Sequence, residues 1–326
     1  MEIKIILLCA ASLVCGYFGA LLVSKYGSRL GVVDRPNERS SHSIPTPKGG
    51  GVGIVAAFVL AALALPVSWA IWVPASLIAA MSFTGDFIEI PPKARLLPQF
   101  LAAFATLYWW HDIASLPLIA LIAVIVVGTA NFYNFMDGIN GIAGLTGLVG
   151  FGSLAFFAFA VVPDRPVAML SLCLACACLG FLPLNMPGAR VFMGDVGSIF
   201  LGFVYAALCL FLARTWTDRA CLAGFMFPFY ADELSTMIIR IRAGQNLLKP
   251  HRRHLYQIMV NQRGYAHWRV SLGYAAGQIV IIGILLAIRA EGFPTVFFFL
   301  SAAFICFHLA NMFIHGMWEN SSCEKK

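Results

Sequence analysis

Long apolar runs recur along the whole chain, broken by short polar interruptions. Their boundaries predict helices over 3–23, 50–66, 69–84, 97–111, 114–131, 141–162, 167–184, 196–213, 220–239, 270–289 and 293–315. A straight bilayer crossing takes about 20 residues, and 69–84 and 97–111 fall short of that, so the pattern reads as ten or eleven spans. The expected fold is all-α, a polytopic transmembrane helical bundle in one integral-membrane domain over 1–326. No repeat, low-complexity tract or Ser/Pro-rich linker divides it. The first run, IKIILLCAASLVCGYFGALLV, is longer than a signal-peptide core. No small-residue cleavage site followed by polar sequence comes after it, so a retained first helix is expected.

Composition supports this reading. Hydrophobic residues make up 60% and charged residues 11% of the chain, too little polar surface for a soluble domain of this length. Charge then orients the bundle. If the loop at 24–49 is cytoplasmic, seventeen of the 22 Lys and Arg residues fall on that side and five on the other. This positive-inside bias places the N-terminus outside. The outer connections (LPVS, HDIA, PDRP, RTWTD) are short. Nearly every polar cluster falls on the cytoplasmic side: DRPNERSSHSIPTPKGGG (34–51), GDFIEIPPKAR (85–95), NFYNFMDGIN (131–140), NMPGARVFMGDVGS (185–198) and RIRAGQNLLKPHRRHLYQ (240–257).

Asp86, Asp137 and Asp195 each stand at a helix end on that side. An ionised carboxylate there costs a few kcal/mol unless solvated, paired or bound to a cation. Any one alone reads as a helix cap; three together, among glycines and basic residues, suggest a divalent-metal site. Oxygen-only donors favour a hard ion such as Mg2+ or Mn2+. Facing them are Arg39, His42 and Lys48, and the run His251, Arg252, Arg253, His254. Topology accounts for ordinary basic clusters, less well for two histidines beside paired arginines. Carboxylates with a cation, opposite a basic loop, suit a phosphorylated substrate. The glycines of PKGGGVG and GDVGS would let backbone N–H groups approach anionic oxygens. From Gly144 onward, close helix packing is the preferred reading. The CxxC spacing of Cys173 and Cys176 lies inside an apolar span and reads as small core residues.

These clusters, in this order, resemble the polyprenyl-phosphate N-acetylhexosamine-1-phosphate transferases. That family includes the undecaprenyl-phosphate GlcNAc-1-phosphate transferases and the phospho-MurNAc-pentapeptide translocase. The resemblance spans roughly 30–260. VFMGDVGS and NFYNFMDGINGIAG carry it most specifically, PTPKGGG and PHRRHLYQ less so; the form of the last two looks more like the O-antigen-initiating branch. Two positions depart: Gly85 stands where the family has the first Asp of an Asp-Asp pair, and Asn140 where it has a second Asp in Asp-Gly-x-Asp.

The resemblance implies a UDP-HexNAc donor, undecaprenyl phosphate as acceptor, UMP as product, and Mg2+ or Mn2+. It also implies a bacterial inner-membrane location with the active site facing the cytoplasm, and no nucleic-acid partner. Asp195 is expected as principal metal ligand and Asp137 as its partner, with Asn131, Asn134 and Asn140 at the nucleotide. Asp86 is expected to orient or deprotonate the lipid phosphate. Lys48 and Arg39 are assigned to phosphate, and His251, Arg252, Arg253 and His254 to sugar or diphosphate. An impaired homologue that binds without turnover, or a transporter of phosphorylated or lipid-linked substrate, remains an alternative. The sugar, the glycan pathway and the oligomeric state, a homodimer included, are left open.

Overall fold

The computed structural model describes residues 2–36, 40–88, 90–109, 115–246 and 251–323. Arg39 and His111 lie outside these. Among the described residues, thirteen α-helices account for nearly all of the regular structure. In chain order they are α1 (Glu2–Tyr26), α2 (Val52–Ala64), α3 (Trp69–Phe87), α4 (Pro92–Tyr108), α5 (Leu116–Phe135), α6 (Ile142–Ala160) and α7 (Arg165–Asn185). There follow α8 (Asp195–Leu212), α9 (Trp216–Gly224), α10 (Phe227–Arg242), α11 (Leu255–Asn261), α12 (His267–Ile288) and α13 (Phe293–Cys323). Among the described residues, eight helices are long and apolar enough to cross a membrane: α1, α3, α5, α6, α7, α8, α12 and α13. The chain is a polytopic all-α membrane protein.

Three of the eleven expected spans do not reach that length. The expected span 50–66 becomes the 13-residue α2, about 20 Å long. Its glycine-rich start leaves the helix and pairs with another loop instead. Gly50 N–H donates to the Phe192 carbonyl at 2.9 Å and Gly51 N–H to that of Met193 at 2.9 Å. Non-helical backbone is tolerated at such depth because protein, not lipid, surrounds it. The expected 97–111 starts early, at Pro92, because proline suits the first helical position, and its first turn carries Lys93 and Arg95. The expected 220–239 breaks into α9 and α10 where Gly224 precedes a turn and Pro228 opens the next helix. The Phe225 carbonyl exposed by this break accepts a hydrogen bond from Gln278 Nε2 at 2.9 Å.

Small residues set the close helix contacts. A Cβ on Gly16 or Gly180 would collide with the facing backbone between α1 and α7, and one on Gly144 would meet Leu182 at 2.8 Å. Gly144, Gly147 and Gly150 of α6 therefore serve packing. Cys173 and Cys178 are buried thiols without a disulfide, consistent with core residues.

The end of α3, the turn after α5 and the start of α8 meet at one end of the bundle, where Asp86, Asp137 and Asp195 share a cavity. The segment before α2 folds over that end as a two-strand hairpin, Val33–Asp34 against Thr46–Pro47 in antiparallel register. Phe192 N–H donates to the Pro47 carbonyl at 2.8 Å, which fastens the hairpin to the loop before α8.

Candidate active site

The loop before α8 lies over the start of α2, and glycine makes that approach possible. Gly194 has φ +75°, and a Cβ on it would lie 2.6 Å from Gly49 N and 2.8 Å from Asp86 Oδ2. Gly51 and Gly197 are in similarly direct backbone contact. The N–H groups of Gly50 and Gly51, expected to face an anion, are instead bonded to the 192–193 carbonyls, and that of Lys48 to the Val32 carbonyl.

Asp86, at the end of α3, closes the start of α8. Its Oδ1 accepts from Asp195 N–H at 3.3 Å and its Oδ2 from Val196 N–H at 3.2 Å. Lys48 Nζ stands 3.7 Å from Oδ1. With a side chain only 1% exposed, Asp86 is a helix cap supplied by a neighbouring helix. The arrangement favours the cap reading over a free base.

Asp195, the first residue of α8, is 24% exposed at its side chain and reaches the cavity. Its Oδ2 pairs with Arg95 Nη1, and its Oδ1 accepts from Asn134 Nδ2 at 2.9 Å. Asn134 also donates to Ser198 Oγ at 2.8 Å, so α5 is tied to the first turn of α8. Arg95 was not assigned a role from sequence. The available signal was its place in the first turn of α4, where the helix dipole disfavours a cation unless an anion is near.

Asp137 lies in the turn between α5 and α6. That turn is held from three sides: Tyr133 Oη donates to the Ala143 carbonyl at 2.6 Å, Gly141 N–H to Asn185 Oδ1 at 2.7 Å, and Tyr256 Oη to the Phe135 carbonyl at 3.0 Å. Burial first, then the charges of Asp195 and Asp86, push the Asp137 carboxyl up to about 7. Among the described residues, no hydrogen-bond donor or basic side chain pairs with this carboxylate.

Asp86, Asp137 and Asp195 all line one cavity of about 330 Å³, together with Lys48, Asn134 and Asn185. Asp34, His42, Phe192 and Gln257 complete its far wall. The His42 ring packs edge-on to Phe192 at 4.8 Å, with Nε2 3.9 Å from Asp34 Oδ2. Four carboxylates, Asp34, Asp86, Asp137 and Asp195, beside Lys48 and the Arg95 paired with Asp195 leave an excess of negative charge. Among the described residues no group of three or more acidic, His or Cys side chains forms a metal cage. The donor set instead fits a hard ion held by Asp195 and Asp137, with its other positions open to water and phosphate oxygens, as Mg2+ commonly binds.

Other expected site residues fall away from the cavity wall. Asn131 Nδ2 donates to Gln99 Oε1 and to the Val127 carbonyl, both at 2.7 Å, tying α5 to α4. Asn140 joins α12 and the 187 loop: its N–H donates to His267 Nδ1, its Nδ2 to the Pro187 carbonyl, and its carbonyl accepts from Ser271 Oγ. His254 is buried against two acids, with Nδ1 3.8 Å from Asp232 Oδ1 and Nε2 3.4 Å from Glu233 Oε2. Burial would lower its pKa, but these acids raise it overall. His251 moves the other way, to about 3, through burial and the neighbouring cations of His254, Arg240 and Arg253. Arg252 Nη2 donates to the Ser40 carbonyl at 2.7 Å, which anchors the cavity-lining hairpin loop. The Arg253 carbonyl accepts from Thr236 Oγ1.

The family described as glycosyl transferase family 4 matches residues 68–213, a stretch that holds Asp86, Asp137 and Asp195. The chain is 29% identical over 332 residues to decaprenyl-phosphate N-acetylglucosaminephosphotransferase of Mycobacterium leprae, covering 87% of this chain and 81% of the relative. It is 24% identical over 288 residues to undecaprenyl-phosphate alpha-N-acetylglucosaminyl 1-phosphate transferase of Thermotoga maritima, covering 88% and 90%. It is 27% identical over 143 residues to phospho-N-acetylmuramoyl-pentapeptide-transferase of Enterococcus faecalis, covering 41% and 42%. The match to glycosyl transferase family 4 over 68–213, with relatives that span most of the chain, supports a place in the superfamily of polyprenyl-phosphate N-acetylhexosamine-1-phosphate transferases.

Proposed function

We propose that this protein transfers HexNAc-1-phosphate from a UDP-HexNAc to undecaprenyl phosphate. An oxygen of the lipid phosphate forms a bond to the phosphorus that carries the sugar. The bond from that phosphorus to the bridging oxygen breaks, releasing UMP and leaving undecaprenyl-diphospho-HexNAc. The observation that carries this reading is the convergence of Asp86, Asp137 and Asp195 on one cavity, beside Lys48, at a single end of the bundle. A lipid phosphate held at the interface and a water-soluble nucleotide sugar can meet only at such an end. The positive-inside bias supports reading that end as the cytoplasmic face, here of a bacterial inner membrane. Family members across most of this chain's length are named for polyprenyl-phosphate sugar-phosphate transfer, which supports the same reaction class.

Asp195 would be the principal ligand for Mg2+ or Mn2+ and Asp137 the second, and such an ion would supply charge neutralisation beside the donor diphosphate. Asn134 and Arg95 hold the Asp195 carboxylate in place. Asp86 caps α8 and thereby fixes where Asp195 points, while Lys48 presents its ammonium to phosphate. No strong general base is required, because a phosphate monoester with a second pKa of about 6 is already largely dianionic at neutral pH. Gly85 and Asn140 therefore do not remove a needed proton acceptor. The product would initiate a bacterial surface glycan such as O-antigen.

Purified protein incubated with undecaprenyl phosphate and a panel of UDP-HexNAc donors tests the proposal. UMP release that requires both the lipid phosphate and the divalent ion is the expected result. Nucleotide-sugar binding without UMP would instead indicate a non-catalytic homologue, and vesicle uptake without UMP a transporter.

A further inference from the structure

The basic motif PHRRHLYQ lies beside the cavity, yet its histidines do not face it. His254 is enclosed by Asp232 and Glu233 and stacks on Tyr256, with ring centroids 5.5 Å apart. Asp232 is fully buried and organises this region. It accepts from Leu255 N–H at 2.8 Å, from Tyr256 N–H at 3.3 Å and from Tyr274 Oη at 2.6 Å. These bonds fix the position of α11 relative to α10 and α12.

Of the motif's side chains, Gln257 lines the cavity and Tyr256 reaches the turn that carries Asp137. It is fully buried, and its hydroxyl donates to the Phe135 carbonyl at 3.0 Å. Its ring packs on Gly138, where an added Cβ would collide with the hydroxyl and lie 3.0 Å from Cε2 and Cζ. Phe135 and Gly138 flank Met136 and Asp137, so the tyrosine supports both sides of the turn that carries the carboxylate. Asn185, by accepting from Gly141 N–H, holds the far end of the same turn.

We propose that Tyr256 is a positioning residue for the Asp137 carboxylate, and that buried Asp232 in turn positions Tyr256. The PHRRHLYQ motif thus influences the transfer reaction through the tyrosine and its anchor, not through contact between His254 and the ligand. This inference rests on the reading of Asp137 as part of the transfer site.

Tyr256→Phe keeps the ring and removes one hydrogen bond, so it tests the idea without opening a cavity. The expected result is a five- to tenfold lower kcat, with KM for donor and lipid phosphate within about twofold of wild type. Backbone hydrogen exchange in micelles should also speed up over 136–141 while α11 stays protected. Gly138→Ala presses a methyl group against the hydroxyl. It should lower kcat by more than tenfold, and the double variant Gly138→Ala/Tyr256→Phe should lose less than the product of the single effects. Unchanged kcat and exchange in Tyr256→Phe, a rise in KM alone, or strictly multiplicative losses in the double variant would overturn the proposal. The exchange measurement needs no turnover, so it decides this point even if the transfer reading fails.

Discussion

Replacing Asp86 separates a cap from a base. Its two oxygens accept the N–H groups of Asp195 and Val196 at 3.3 and 3.2 Å, within a side chain 1% exposed. Hydrogen bonds to a buried charge contribute about 1.5–3 kcal/mol each. Lys48, 32% exposed, adds less than about 1 kcal/mol. Asp86→Ala removes both bonds and should cost about 3–5 kcal/mol. Asp86→Asn keeps one acceptor at the start of α8 and should cost about 2 kcal/mol, since asparagine caps helices nearly as well as aspartate. At on the order of 2 °C per kcal/mol for a long chain, thermal melts in micelles should fall by roughly 4 °C for Asn and roughly 6–10 °C for Ala. UMP release should follow the same order: Asn within about thirtyfold of wild type, Ala at least tenfold lower again. If Asn and Ala are equally inactive while both melt near wild type, the charge itself takes part in the reaction and the cap account of Asp86 is refuted.

Gly194→Ala should lower UMP release at least a hundredfold and destabilise by more than about 2 kcal/mol, because φ is +75° and the new Cβ would press on Gly49 and Asp86. Gly152, with nothing within 4 Å of its Cβ position, is the control: Gly152→Ala should melt at or slightly above wild type. The two histidines of the basic loop should give opposite pH slopes in thermal melts. His251, lowered to about 3 in the fold, adds stability above its unfolded value of about 6.5 that is lost as pH falls toward 3. His254, raised, adds stability below about 6.5 that is lost as pH rises through its folded pKa. His251→Asn should therefore flatten the acid side of the curve and His254→Asn the alkaline side; the same slope change in both would contradict the assignment.

The sequence made the bundle legible because lipid imposes a long apolar run on each crossing helix, and eight such runs became full-length spans. The shortening of α2 was hidden because its cause is non-local: Gly50 and Gly51 bond to carbonyls 142 residues further on, at 192 and 193. The α9–α10 break was written in Gly224 and Pro228 but masked by the apolar run around them. Asp86, Asp137 and Asp195 were legible as helix-end carboxylates on one side of the membrane, and they meet at one end of the bundle. The use of each carboxylate depends on partners from other helices, which spacing does not encode. Asp86 caps α8 from α3, Arg95 reaches Asp195 from α4, and His254 turns toward Asp232 and Glu233 on α10. The hairpin of 33–47 is two residues per strand, too short for any periodic signal.

Mn2+ binding followed by electron paramagnetic resonance tests the shared-cation claim most directly. The account predicts one tight site in the purified protein, weakened at least tenfold in Asp137→Asn and in Asp195→Asn alike. Wild-type Mn2+ affinity in either variant would mean that these two carboxylates do not hold a common ion.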